Sequence, residues 1–251
     1  MKIRIAVILL GALGSTTICR GQQAPIVYAD EVIAKLIDHS SQRDTLAGGY
    51  TGTRRYVLEN QRLSKRAEML VSVKCDSDGT KHFDVLSEEG WKSANKRVLR
   101  KMLESETETS QPPVRPTTSI SPENYRFVLL GRDFVESRPV YVIQALPKRE
   151  DKYLFDGRIW VDAEDFAVVR AEGKPAKNPS FWTRSIHFVQ QYHKSGSFWF
   201  PVATESVTEA RIFGKTEVTI SYFDYQPNSA AVPSVSENAG MNGNEENHAH
   251  N

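Results

Sequence analysis

Ser185 and His187, with Asp162 upstream, are the residue types of a nucleophilic triad, in which a histidine takes the proton of a serine hydroxyl and a carboxylate holds the imidazole. Nothing in the surrounding sequence brings the three together. His39, His82, His187 and His193 are scattered and read as surface or strand histidines, and His248 and His250 form a bare H-x-H in a polar tail. Asp156 with Arg158, and Asp162 with Asp165, read as hairpin ends and turn formers, because carboxylates in turns accept backbone hydrogen bonds. Cys75 closes a strand and reads as a small core residue. The chain has no G-x-S-x-G, no H-E-x-x-H, no phosphate loop and no dinucleotide fingerprint. No catalytic residue, metal ligand or cofactor is therefore expected.

The ends bound the context. Lys2 and Arg4 precede an apolar run from Ile5 to Leu13 and a polar segment closing on Cys19-Arg20-Gly21, the layout of a secretory signal peptide over residues 1–21. The run is shorter than the roughly 20 residues of a membrane span, and cleavage is expected before Gln22. Ile18 stands before Cys19, where a lipoprotein signal has a small residue, so lipidation of Cys19 is not expected. The remaining chain of about 230 residues keeps one cysteine, Cys75, so its core must hold the fold without an internal disulfide. Without Lys2, Arg4 and Arg20, 29 basic residues face 31 acidic ones, a balance that does not suggest a nucleic-acid partner. Residues 226–251 lose periodicity and fill with Asn, Ser, Glu, Gly and Ala, the composition of a disordered tail.

Between those ends the elements are legible. Val27, Val32, Ile33, Leu36 and Ile37 recur at helical spacing over residues 26–40. Strands follow over 50–59, 67–75 and 80–86, the last two joined by the turn Asp76-Ser77-Asp78-Gly79. Residues 93–106 carry the stripe Val98, Leu99, Met102 and Leu103 of a second helix. Residues 106–123, with four prolines, read as a long loop within one domain, 22–225. Strands are then expected over 125–131, 138–146, 157–162, 166–173, 185–193, 198–209 and 216–225. The count is about ten strands and two or three helices, a largely antiparallel α+β chain. In Tyr141-Val142-Ile143 and Ile159-Trp160-Val161 both faces are apolar, so both must be covered.

This order of elements resembles the periplasmic lipoprotein-carrier superfamily. That superfamily includes the outer-membrane lipoprotein carrier and receptor, the N-terminal domain of the envelope-stress regulator that binds an anti-sigma factor, and mycobacterial lipid-binding relatives. The likeness is carried by Tyr141-Val-Ile-Gln-Ala-Leu-Pro-Lys148, Ile159-Trp-Val-Asp162 with Phe166-Ala-Val-Val-Arg170, Phe200-Pro-Val-Ala-Thr-Glu-Ser206 and Thr219-Ile-Ser-Tyr222. It spans roughly residues 24–225. It implies an unclosed antiparallel β half-barrel wrapped around the helices, with an apolar cavity for acyl chains. The basic pairs Lys96-Arg97 and Arg100-Lys101 and the long proline-rich loop depart from the pattern and leave open whether the insert helix is a lid.

The function implied is non-enzymatic shielding of a lipid acyl chain or lipidated protein in the periplasm, in lipoprotein or lipid sorting with membrane-associated donor and acceptor proteins. The alternative is an envelope-stress sensor or protein-binding scaffold on the same fold. Each buried CH₂ contributes about 0.8 kcal/mol, so two long chains represent on the order of 20 kcal/mol and demand a deep apolar cavity. The expected lining is Trp91, Leu99, Met102, Phe127, Val142, Trp160, Val168, Trp182, Phe188 and Trp199, large apolar side chains on the insert helix or on strands with two apolar faces.

Overall fold

The computed structural model describes residues 28–178, 183–212 and 214–228. The expected signal peptide, residues 229–251 of the expected tail and Trp182 lie outside the described residues.

Helix α1 (Ala29–Ala47) starts with Asp30 and Glu31 in its first turn, where carboxylates oppose the positive end of the helix dipole. It ends at Gly48, whose φ of 58° and N–H to the Asp44 carbonyl make a left-handed cap. Val32, Ile33 and Leu36 form its buried stripe. The helix runs past the expected end at Ser40 because its last turns are held by tertiary bonds: Arg43 Nη1 donates to the carbonyl of Asp165 (2.9 Å) and Nη2 to that of Phe166 (3.3 Å).

Among the described residues ten strands follow: β1 (Tyr50–Asn60), β2 (Lys65–Cys75), β3 (Lys81–Gly90), β4 (Tyr125–Val135), β5 (Arg138–Pro147), β6 (Phe155–Asp162), β7 (Val168–Pro175), β8 (Thr183–Ser195), β9 (Phe198–Ala210) and β10 (Gly214–Pro227). They form one sheet in the order β3-β2-β1-β10-β9-β8-β7-β6-β5-β4. Every pairing is antiparallel, and the first strand meets the last through Tyr56 opposite Ile220 and Leu58 opposite Val218. The outer strands β3 and β4 do not pair, so the sheet is an unclosed half-barrel. The last strand runs to Pro227, and Asn228 is tied down by its N–H to the Gly49 carbonyl, 3.0 Å.

The segment between β3 and β4 joins the two edges of this open sheet, which is why it must be long. It begins as α2 (Lys92–Ala94), continues through a π-helical turn (Asn95–Leu99) into α3 (Arg100–Ser110), and then forms the short α4 (Arg115–Thr118). The insert helix is thus five residues longer than expected, one at its start and four at its end, and the proline-rich stretch contains a helical turn. Pro116 at the start of α4 is compatible with it, since the first helical N–H groups lack partners in any case. Asn124, buried, pins the stretch by donating to the carbonyls of Pro116 (2.8 Å) and Ser119 (2.9 Å) and accepting from Arg149 (2.8 Å).

Two cores result. The insert helix places Ala94, Leu99 and Leu103 on Tyr56, Leu58, Met69, Val71, Val218 and Ile220 of β1, β2 and β10. Helix α1 places Val32, Ile33 and Leu36 on Tyr141, Ile143, Ile159, Val161 and Ala171 of β5 to β7. Between these flanks lie β8 and β9, the two middle strands of the order, and none of their residues is buried.

Candidate functional site

Ser206 stands opposite Phe188 on β8 and Val218 on β10. Directly opposed residues share a face, and Phe188 and Val218 pack into the two helix-covered cores. Ile186, Phe188 and Gln190, with Thr204, Ser206 and Thr208 opposite them, therefore line the concave face, and all are half-exposed. Central strands are ordinarily the best covered part of a sheet; here the concave face is a trough walled by the two flanks. Its floor mixes Ile186 and Phe188 with hydroxyl and amide groups, so it can hold an extended apolar chain while offering hydrogen bonds along one side.

At the β10 side the trough meets a charged cluster. Arg54 occupies the inward phase of β1, in register with Tyr56 and Leu58, and its side chain is 2% exposed. Its Nη1 donates to Glu106 Oε2 at 2.6 Å and to the Tyr56 hydroxyl at 3.3 Å, and its Nε donates to the Tyr225 hydroxyl at 2.6 Å. The guanidinium lies between two rings, 5.1 Å from Phe83 and 5.0 Å from Tyr222. Lys81 of β3 donates to the other oxygen of Glu106 at 2.7 Å. Tyr222 links the cluster to the trough, because its hydroxyl is 2.9 Å from Thr204 Oγ1 on β9. Gly52 is required beside it: a Cβ there would meet the Tyr225 ring at 2.6 Å.

Burial would raise the Glu106 carboxyl, but the charges and hydrogen bonds of Lys81 and Arg54 outweigh it and hold the group down at about 2. Burial likewise works against the charged forms of Arg54 and Lys81, and Glu106 reverses this and raises both. Burial pushes the Tyr56 phenol up to about 12 and raises Tyr50, Tyr192, Tyr222 and Tyr225. At neutral pH the cluster therefore holds two cations, one carboxylate and neutral phenols.

Neither Arg54 nor Glu106 was among the residues expected to act. The signal was present: Arg54 stands where β1 alternation calls for an apolar side chain, and Glu106 continues the stripe Leu99, Met102, Leu103 at helical spacing. A charge in an apolar phase marks a buried partner.

The expected lining residues fall into three places. Trp91, Leu99 and Met102 belong to the core under the insert helix. Phe127, Val168 and Phe188 belong to or pack against the core under α1. Val142, Trp160 and Trp199 cluster with Val140 and Val169 on the face turned away from α1, because Tyr141 and Ile143, not Val142, point at the helix. Of the nine that are described, Phe188 reaches the trough floor. A cavity of about 560 Å³ between the end of β3 and the start of the insert helix, and one of about 170 Å³ beside Phe200 and Tyr225, are lined by none of them.

Asp162 is the turn former expected: Arg138 Nε donates to it at 2.5 Å, and the N–H groups of Glu164 and Asp165 donate to its Oδ1. Ser185 and His187 are exposed on β8. Cys75 is buried, and burial raises its thiol. Among the described residues no three His, Cys, Asp or Glu side chains gather as metal ligands, and no helix is long and apolar enough to cross a membrane.

Compared with known proteins, residues 92–228 match the model of a family of unknown function, DUF5686. No curated protein matches the chain. Similar solved structures include a DUF1329 family protein from Desulfovibrio piger, with 12% identity, 82% of this chain and 96% of that chain covered, and a TM-score of 0.45. A putative outer membrane lipoprotein-sorting protein domain from Vibrio parahaemolyticus has 14% identity, with 82% and 95% covered and a TM-score of 0.43. A LolA superfamily protein from Nitrosomonas europaea has 12% identity, with 81% and 95% covered and a TM-score of 0.36. Structures similar to this chain thus include members of the superfamily that its sequence resembles.

Proposed function

This chain belongs to the DUF5686 family, and we propose that it is a binding protein of the cell envelope that shelters the acyl chain of a lipid or lipidated protein in the trough over β8 and β9. It works by reversible burial, without making or breaking bonds. The observation that carries this reading is that the two middle strands of a ten-stranded sheet bear no buried residue while both flanks are helix-covered. Apolar side chains such as Ile186 and Phe188 left half-exposed on a concave face gain from a chain laid against them, at about 25 cal/mol per Å² removed from water. An open trough suits one chain lying lengthwise better than the two-chain cavity expected from the sequence.

Export by the N-terminal signal and a role in lipid or lipoprotein sorting belong to the same proposal. The test is extraction of lipid from the protein purified out of the periplasm, together with uptake of a fluorescent fatty acid. Saturable uptake supports the reading; protein that is consistently empty and takes up no fatty acid sinks it.

One observation favours a scaffold that holds another protein. The trough floor carries Gln190, Thr204, Ser206 and Thr208, polar groups suited to an extended peptide as well as to a lipid. Capture of one stable protein partner by lipid-free material would select that reading.

A further inference from the structure

We propose that Arg54 and Lys81 form a subsite for the oxyanion head, carboxylate or phosphate, of a single-chain amphiphile whose tail lies in the trough. The inference rests on the acyl-chain reading and deepens it, from shelter of a chain to selection of its head group.

Three observations carry it. First, two cations share one carboxylate: Arg54 at 2.6 Å and Lys81 at 2.7 Å each take one oxygen of Glu106. Asp44 of α1, the other carboxylate in electrostatic reach of Lys81, is shared with Arg43 and Arg115. The phenols around the cluster are neutral, so these two cations and one carboxylate leave one positive charge over beside a guanidinium that is 2% exposed, where unmatched charge is costly. Second, donors are in hand. Among the described residues, Arg54 uses Nε and Nη1 and no bond leaves Nη2, while Lys81 uses one of three ammonium protons. Third, the cluster borders the trough, since the Tyr222 ring lies against Arg54 and its hydroxyl reaches Thr204 on β9. An anion seated here completes the charge balance and directs its chain along β9 and β8.

The test is a competition series against a fluorescent fatty acid, using dodecanoate, dodecyl phosphate, dodecanol and dodecylammonium on the wild-type protein, repeated with Lys81→Met and Lys81→Arg. The two anions are expected to compete at least tenfold better than dodecanol and the ammonium worst. Lys81→Met is expected to lower the anions to the level of dodecanol while leaving dodecanol unchanged, with Lys81→Arg restoring most of the difference. Equal competition by dodecanoate and dodecanol in the wild type overturns the subsite and leaves the acyl-chain reading standing. Failure of every chain overturns both. Equally good competition by acetate or inorganic phosphate overturns the amphiphile in favour of a free-anion site.

Discussion

On β6, Ile159 and Val161 are closed off by α1; two strands along the same sheet, Ile186 and Phe188 of β8 are side chains of the same kind and stay half-exposed. Strand composition does not explain the difference. Each flank has a helix whose apolar stripe matches it, α1 over β5 to β7 and the insert helix over β1, β2 and β10, and of β8 and β9 Phe188 alone packs against either core. The molecule's stability is concentrated in two flanks that leave a binding surface between them. The segment that places the second helix is the connection that joins the two unpaired edges, so the open sheet and the covered flank follow from one chain path.

If that contrast is right, substitutions should separate by region. Leu99→Ala, at a fully buried site under the insert helix, is expected to cost about 2–5 kcal/mol in urea unfolding, through lost burial and the cavity left behind. Glu106→Gln is expected to cost about 3 kcal/mol, because it leaves the Arg54 guanidinium buried beside Lys81 without their shared counter-charge. Ile186→Ala, in the trough, is expected to cost less than about 1 kcal/mol, as a partly exposed position does. Equal losses for Leu99→Ala and Ile186→Ala would mean that the middle strands are as well covered as the flanks.

The Glu106 ion pairs also have a pH signature. The carboxyl is held at about 2, below its ordinary 4.5, so its contribution is fully present above pH 4.5 and is lost as the pH falls toward 2. The urea midpoint of the wild type is expected to fall more steeply across that window than that of Glu106→Gln. Parallel profiles would show that the cluster does not hold Glu106 ionised.

All ten strands were legible in the sequence because their turns are written in short polar runs such as Asp76-Ser77-Asp78-Gly79 and Lys194-Ser195-Gly196-Ser197. The last two turns of α1 were not, since tertiary bonds from Arg43 hold them in place of an apolar stripe. The site was less legible than the fold. Alternation tells which residues share a face but not which face a helix covers, and that depends on the pairing of β1 with β10, between residues far apart in the chain. Trp160 and Ile159 look alike in sequence and end on opposite faces. The Arg54, Glu106 and Lys81 cluster draws on three elements, so the apolar phases of Arg54 and Glu106 mark them as buried charges but only the assembled elements show which charge meets which.

The trough itself is best tested by filling it. Ser206 points into it between the two cores, so Ser206→Trp adds bulk without removing any core contact. Its urea stability is expected to stay within about 0.5 kcal/mol of the wild type. Saturable uptake of a fluorescent fatty acid by the wild type, weakened at least tenfold in Ser206→Trp at unchanged stability, is the predicted result. Equal uptake by the two proteins would place the chain elsewhere and contradict the account.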